Sequence, residues 1–568
     1  MTARWRLYLV VLALLLLLSA LIGRVVYLQV AEQQFLINQG QMRSAREVEV
    51  GAHRGMILDR HGTPLAVSTP VVSLWGDPRH LSEADLPRLA EATGASLETL
   101  RQRYNIHRAF FYIRRQLPPE QAEDVLALGI PGVYGRQEYK RFYPAGEVTA
   151  HILGFTNIDD HGQEGVELAY NDMLVGQSGR SLVLQNLNGQ VVRHVETVRA
   201  PQPGRDLQLT IDLDLQYKVY RALKSAWQYH QADWASAVVL DPRTGDVLAM
   251  ANLPSYNPND RSSIRPEYLR NRAITDAVEP GSVMKTMAVL AALNEGLVTP
   301  EDRFNTSPGT MNLGNGHTIR DFRDYGELDV TGIIRHSSNV GISQLALDMG
   351  GDRLWSTLYS LGFGQPIGVG FPGEATGSLP NRTNWSDVQV ATQSYGYGMT
   401  ATPLQLAQAY AVIANDGVLV RPRILQQSLQ APPTRVLPSS VVTDVQRMLE
   451  AALGDGGTGT RARMPLYTAA GKTGTAHTVG LAGYDENAYR GVFVGYAPAD
   501  DPELVISIVV NNPRGEEYFG GAVAAPIFSE VMQASLAHIG ATPDRLFAER
   551  EQNGLTAWTD RLRRVTHE

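Results

Sequence analysis

Spaced by its apolar positions, the chain opens with a run at residues 7–23 that only Ser19 breaks; after Arg24 the run resumes through residue 28. If Arg24 snorkels to the headgroups, 7–28 is long enough to cross a hydrocarbon core of about 30 Å. The run exceeds the roughly 7 to 15 apolar residues of a cleaved signal, and no small-x-small site follows it cleanly. Arg4 and Arg6 precede it, which favours a cytoplasmic N-terminus, by a slight margin because Arg24 and Arg43 follow. The pattern predicts a cytoplasmic tail 1–6, one transmembrane anchor 7–28 and the rest of the chain outside the cytoplasm. Ser19 and Gly23 form a small-x-x-x-small pair, which fits either close approach by another membrane helix or chance in a leucine-rich segment.

From 31 to about 225 the pattern alternates between short strand-like runs (43–50, 55–59, 71–75, 180–184) and helix-like stretches (82–93, 118–128). The turn Pro201-Gln-Pro-Gly204 precedes a strand at 207–211, and a 3.6-residue period over 213–229 predicts a helix leading into the next domain. There, 237–241 and 246–250 bracket Pro242-Arg-Thr-Gly245 as a hairpin, and 491–495 and 504–511 form a second strand pair. Helical patterns lie between them at 282–295, 337–349 and 403–415. Hairpins at both ends with helices in the middle predict an α+β domain whose terminal strands share one antiparallel sheet.

Composition narrows the function classes. The 568 residues are 43% hydrophobic and 19% charged, globular values that exclude wholesale disorder and a polytopic membrane protein. The net charge of -8 supplies no basic field for nucleic acid. Cysteine is absent, which excludes thiol nucleophiles, disulfides and cysteine-ligated metal centres. Only five lysines occur, at 140, 218, 224, 285 and 472; the other 45 of 50 basic residues are arginine. In so arginine-rich a chain each lysine is a candidate for a place where arginine cannot serve, because only lysine can lose its proton near neutral pH.

Lys285 is one such candidate. In Glu279-Pro-Gly-Ser282-Val-Met-Lys285 a Pro-Gly turn opens an apolar helix, with Ser282 in its first turn and Lys285 three residues on along the same face. This suits a serine nucleophile with a neutral lysine as its base. Neutrality at pH 7 requires a fall of about 3 units, on the order of 4 kcal/mol, from burial and a neighbouring cation. Alone the motif is weak, since a capped core helix with a snorkelling lysine reads the same way. Two further segments change this: Ser337-Ser-Asn339, offering a hydroxyl and an amide from one helix start, and Gly471-Lys472-Thr473-Gly474-Thr475, a strand edge whose glycines admit a substrate backbone.

In this order and at intervals of 55 and 135 residues, Ser-x-x-Lys, Ser-x-Asn and Lys-Thr-Gly resemble the penicillin-recognising serine acyltransferases. Over nearly the whole chain the likeness is to the class B penicillin-binding proteins, in particular the division-specific peptidoglycan D,D-transpeptidases of Gram-negative bacteria. It extends to Arg54-Gly55-x-Ile57-x-Asp59-Arg60-x-Gly62-x-x-Leu65-Ala66, Arg141-Phe-Tyr-Pro144, His151-Ile-Leu-Gly154, Gly162-Gln-Glu-Gly165-Val-Glu167 and Tyr518-Phe519-Gly-Gly521. The resemblance implies an elongated α+β pedestal of the dimerisation type at 31–225, then a transpeptidase domain at 226–540. The latter is an antiparallel sheet with helices on both faces and an all-helical subdomain, followed by a tail at 541–568. No glycosyltransferase domain precedes the pedestal.

The resemblance also implies roles. Ser282 attacks the penultimate D-Ala of a stem pentapeptide, Lys285 is the base, Ser337 relays a proton and Asn339 binds the donor amide. Lys472 and Thr473 hold the carboxylate, the Lys472 cation helps depress Lys285, and the N–H groups of Ser282 and Thr475 form the oxyanion hole. Gly474, Tyr518 and Phe519 line the substrate site. The implied partners are stem pentapeptides and lipid-linked nascent glycan, β-lactams as covalent inhibitors, an FtsW-type membrane glycosyltransferase with other division proteins, and the bacterial inner membrane at the septum. No cofactor and no metal is implied. An amine, expected from meso-diaminopimelate, completes the cross-link.

Three alternatives stay open at this stage: an elongation-type class B transpeptidase, a β-lactamase or β-lactam sensor, and a scaffold that chiefly activates a membrane glycosyltransferase. Among lesser candidates, Gly396-Tyr-Gly398-Met-Thr-Ala401 mimics a dinucleotide loop without the strand or ribose-binding acid it needs, and reads as a loop into the helix at 403. Asp159-Asp-His161 reads as a solvated turn, and His477 fits either the cleft or packing. The charge-mixed tail 541–568 reads as a mobile or amphipathic appendage.

Overall fold

A leucine-rich run with no internal Pro folds as one helix, α1 (Arg4–Val30), whose 27 residues extend about 40 Å, enough to cross a bilayer. It contains the anchor read from the sequence and, among the described residues, is the one helix long and apolar enough to cross a membrane. The computed structural model describes residues 4–30, 32, 45–185, 191–314, 316–382, 385–428, 430–480 and 483–545, so most of the tail 541–568 lies outside the described residues.

Two compact units follow, and they interleave in sequence: 1–55, 68–140 and 175–205 form the first; 56–67, 141–174 and 206–568 form the second. A simple boundary near 225 therefore does not describe the packing. Residues 56–67 and 141–174 join the second unit through long-range contacts. Ile57 pairs in parallel with Leu207, and Asn259 accepts from the Tyr143 N–H. The Arg141 guanidinium and the Glu167 carboxylate meet at 2.6 Å with side chains 1% and 0% exposed.

In the first unit β1 (Ala45–Val50), β5 (Gly179–Gln185) and β6 (Val191–Arg199) form an antiparallel sheet in the order β1-β5-β6. The 68–76 part of β2 (Pro64–Gly76) pairs with β3 (Phe111–Leu117) and β4 (Val133–Phe142). Leu74, Phe111 and Ile113 from this second sheet pack with Leu86, Leu89, Leu100 and Val125 from α2 (Leu86–Thr93), α3 (Leu97–Ile106) and α4 (Pro119–Ala127).

The second unit is built on β7 (Trp234–Leu240), β8 (Val247–Leu253), β9 (Ala470–Gly480), β10 (Gly483–Ala497) and β11 (Leu504–Asn511), in the order β8-β7-β11-β10-β9. The predicted sheet sharing is realised: Val505 stands opposite Leu240 and Val509 opposite Ser236, so the C-terminal hairpin zips onto the N-terminal one. Every residue of β7 and β8 is buried, the signature of a sheet covered on both faces. The helices α5 (Leu213–Tyr229), α9 (Pro403–Ala414) and α11 (Ala525–Ile539) pack on the sheet, and α9 is buried along its whole length. Asp212 caps α5 through the Leu215 N–H. Further helices, α6 (Lys285–Asn294), α7 (Val330–His336), α8 (Asn339–Met349) and α10 (Ser439–Leu453), form the helical layer. The result is the α+β architecture expected, with β9 an edge strand open to a substrate on one side.

Candidate active site

Ser282 does not begin an α-helix. Gly281–Met284 forms a 3₁₀ turn, and α6 starts at Lys285. A 3₁₀ turn eclipses positions i and i+3, so Ser282 and Lys285 align more closely than α-helical spacing would set them. Gly281 makes the turn possible. It sits at φ +62, and a Cβ there would lie 2.9 Å from the Thr475 carbonyl oxygen. Gly474 answers from the facing strand, where a Cβ would lie 2.6 Å from the Pro280 oxygen. Two glycines thus bring the Ser282 turn and β9 together backbone to backbone. From below, Tyr410 of α9, fully buried, donates to the Val283 carbonyl at 2.9 Å.

Lys285 and Lys472 are both completely buried. Burial pushes the Lys285 ammonium well below the usual lysine range, the Lys472 charge adds to the fall, and the Asp321 carboxylate opposes it. Burial likewise pushes Lys472 down to about 7. Lys285 Nζ donates to the Ser337 carbonyl and to the Ser337 hydroxyl, the latter at 3.1 Å. Lys472 Nζ donates to the Thr473 carbonyl at 3.1 Å. The Ser282 hydroxyl has no hydrogen-bond partner among the described residues.

Ser337 and Asn339 do not come from one helix start, as the sequence pattern suggested. α7 ends at His336, Ser337 is a left-handed linker at φ 60, Ser338 caps α8, and Asn339 is its first residue. A non-glycine residue pays a backbone cost there, and the kink aims both its carbonyl and its hydroxyl at Lys285. Asn339 Nδ2 donates to the Arg320 carbonyl at 2.8 Å, which leaves the side-chain oxygen as an acceptor. Asp321 secures the turn: its carboxylate accepts from Ser338 Oγ at 2.6 Å, from Val340 N at 3.0 Å and from Asn339 N.

On β9, Thr473 Oγ1 donates to Thr458 at 2.8 Å, and Thr475 Oγ1 accepts from the Gly520 N–H at 3.0 Å. That bond sets Tyr518-Phe519 beside the strand. The Tyr518 ring stacks on Tyr489 at 4.2 Å and leans on Phe519, which is half exposed. His477 packs against Tyr489, its Nδ1 3.2 Å from the Asp485 carbonyl. Among the described residues no group of three His, Cys, Asp or Glu side chains is placed to hold a metal ion.

Sequence reasoning missed the supporting residues. Glu279 accepts from the Gly398 N–H at 2.8 Å and from Tyr484 Oη at 2.9 Å, tying a loop and a hairpin to the nucleophile's turn. The Gly396 loop closes behind that turn; its carbonyl accepts from Gly281 N at 3.2 Å, and a Cβ at Gly396 would meet the Gly281 oxygen at 2.2 Å. Glu279 stood in the motif and could have been singled out as a buried acid. Asp321 and Tyr410 carry no local signal, because their partners lie far along the chain.

Family models match two regions: a penicillin-binding protein transpeptidase domain at residues 235–533 and a penicillin-binding protein dimerisation domain at 49–209. The chain is 42% identical over 561 residues to the probable peptidoglycan D,D-transpeptidase PbpC of Pseudomonas aeruginosa, covering 97% of this chain and 99% of that protein. It is also 42% identical over 551 residues to the peptidoglycan D,D-transpeptidase FtsI of Escherichia coli K12, covering 95% and 93%. Among solved structures, penicillin-binding protein 3 of Mycobacterium tuberculosis complexed with aztreonam superposes with a TM-score of 0.68 at 29% identity, over 87% of this chain and 98% of that one. The transpeptidase domain of Burkholderia pseudomallei penicillin-binding protein 3 gives 0.54 at 38% identity, over 59% and 97%.

Proposed function

The chain belongs to the class B penicillin-binding proteins, and from that premise we propose how its own residues carry out peptidoglycan D,D-transpeptidation. The enzyme is a serine acyltransferase of the FtsI type, acting in the cell-wall synthesis of division and open to acylation by β-lactams.

In this reading Ser282 Oγ attacks the penultimate D-Ala carbonyl while Lys285, neutral through burial, takes the hydroxyl proton. The backbone N–H groups of Ser282 and Thr475 hold the oxyanion; the meeting of the Gly281 turn with β9 supports their convergence. The proton returns through the Ser337 hydroxyl, 3.1 Å from Lys285 Nζ, to the leaving nitrogen, and terminal D-Ala departs. Lys472 and Thr473 receive the donor carboxylate, Asn339 accepts from the donor amide, and Gly474, Tyr518 and Phe519 line the strand edge. An amine of a second stem then attacks the acyl-enzyme, forms the cross-link and gives its proton to the serine oxygen. A single observation carries the reading: a buried lysine, pushed well below its usual range, sits between the first-turn serine's element and a hydroxyl strained toward it.

The N-terminal helix anchors the chain, and Arg4 and Arg6 support an N-terminus in the cytoplasm with both folded units in the periplasm. Septal placement and docking to an FtsW-type glycosyltransferase follow from the division reading. The test is stoichiometric: with a stem pentapeptide donor and an amine acceptor, D-Ala release should equal the sum of cross-linked and hydrolysed product, and both should vanish in Ser282→Ala. A septal fluorescent fusion supports the division role, and lateral-wall placement sinks it.

A further inference from the structure

One strap beside the site is not used by the mechanism above. Residues 320–325 leave the end of the strand Thr318–Arg320 and are fastened at two points to the turn that carries Ser337. The Arg320 carbonyl accepts from the Asn339 amide, and the Asp321 carboxylate caps α8. Farther on, the Tyr325 ring stacks on His336 at 5.2 Å.

Between these fastenings the strap shows chemistry without an occupant. Phe322 is 87% exposed, more than any other large hydrophobic side chain among the described residues. Arg320 and Arg323 flank it, both exposed; the Arg323 guanidinium lies over the Tyr325 ring at 5.1 Å, and neither arginine forms a salt bridge with an acid among the described residues. The nearby acids are committed elsewhere. Asp321 accepts from the α8 terminus, and Asp324 accepts from Ser307 Oγ at 2.9 Å and from Gly326 N at 2.9 Å. An aromatic ring in water between two exposed guanidiniums that face no carboxylate, one of them braced on the Tyr325 ring, fits a ligand with an apolar part and free carboxylates.

The donor stem is proposed to lie along β9, with Lys472 and Thr473 on its carboxylate and Asn339 on its amide; the side chains of Arg320, Phe322 and Arg323, which carry none of these donor contacts, remain for the second substrate. That substrate is a peptide, and a peptide with a free C-terminus carries a carboxylate. We propose that the strap 320–325 is the docking edge for the acceptor stem, with Arg320 and Arg323 pairing with its carboxylates and Phe322 packing on its apolar part. The inference rests on the transpeptidase reading and names the subsite of its second substrate.

The test separates the two half-reactions in the detergent-solubilised full chain. Benzylpenicillin reports acylation. A stem pentapeptide donor with the tripeptide L-Ala-γ-D-Glu-meso-diaminopimelate as acceptor reports transfer against hydrolysis. In Phe322→Ser and in the double variant Arg320→Ala/Arg323→Ala, acylation should stay within about twofold of the unmodified protein. The transfer-to-hydrolysis ratio at low acceptor concentration should fall about tenfold or more. With an acceptor whose carboxylates are amidated, the arginine dependence should disappear while that of Phe322 persists. An unchanged ratio overturns the proposal, as does a parallel fall of acylation and transfer, which would make the strap a support for Ser337 only. Failure of the unmodified chain to be acylated at all overturns the transpeptidase reading itself, and shows before any strap variant is compared.

Discussion

Lys285 Nζ lies 3.1 Å from the hydroxyl of Ser337, a residue held at φ 60 between two helices, so the acid–base pair depends on a backbone kink as much as on a side chain. Arginine has the reach but cannot give up its proton, and methionine has the volume but no nitrogen. Both Lys285→Arg and Lys285→Met should therefore lower the acylation rate constant by about 10³-fold or more, read with a fluorescent penicillin. Retention of more than a tenth of the rate in either would rule out Lys285 as the base.

The pH dependence of acylation follows from the charges around Lys285. Acylation should rise from the acid side as Lys285 loses its proton, with its midpoint far below that of a free lysine. Asp321 is the carboxylate that holds the proton on. Asp321→Asn should move the midpoint to lower pH, and a move to higher pH would contradict this electrostatic account.

Buried Lys472 is a cost to the fold. Its folded value is about 7 against 10.5 when unfolded, so the unfolded chain holds more protons between those values. Stability should rise with pH across that window and be lost as pH falls toward 7. Lys472→Met should flatten this slope and stabilise the protein at pH 7 by up to on the order of 4 kcal/mol, while abolishing transpeptidation. Thermal melts at pH 7 and 9.5 give the comparison; an unchanged slope in the variant would contradict it.

Contact between the Ser282 turn and β9 leaves no room for a methyl group. Gly281→Ala adds a Cβ 2.9 Å from Thr475 O at a left-handed backbone, and Gly474→Ala adds one 2.6 Å from Pro280 O. A shift of about 1 Å at a reacting centre is worth roughly 10²-fold in rate, and each variant should lose about that much in acylation. Wild-type rates would mean that the approach is not needed for chemistry.

Away from the site, Arg141 and Glu167 are paired in full burial. Glu167→Ala removes the carboxylate beside a fully buried guanidinium and should cost about 3–5 kcal/mol, read as a lower melting temperature, with acylation at 25 °C retained by the folded fraction. A melting temperature within about 1 °C of wild type (roughly 1 kcal/mol at about 2.1 cal/mol/K per residue for a chain of this size) would contradict that role.

Local patterns foretold what is local. The apolar period over 213–229 and the turn between the first two sheet strands gave Leu213–Tyr229 and the hairpin within a few residues. The three short motifs named Ser282, Lys285, Ser337, Asn339 and Lys472 because each is read within seven residues of chain. Their assembly was not legible. Nothing near Ser337 announces a left-handed residue, since αL carries no strong signature in serine, and Asp321 reaches its partners only after the strand Thr318–Arg320 has turned back. The interleaving of the two units escaped for the same reason: the pairing of Ile57 with Leu207 spans 150 residues.

The central claim is that Ser282 is an acylable nucleophile whose acyl-enzyme waits for an amine rather than water. Intact mass of the purified chain mixed with benzylpenicillin, followed over hours beside Ser282→Ala, tests it most directly. The account predicts a single penicilloyl adduct on the native chain that persists for hours, and none on Ser282→Ala. An adduct that clears within minutes, or one that forms equally on the variant, would contradict it.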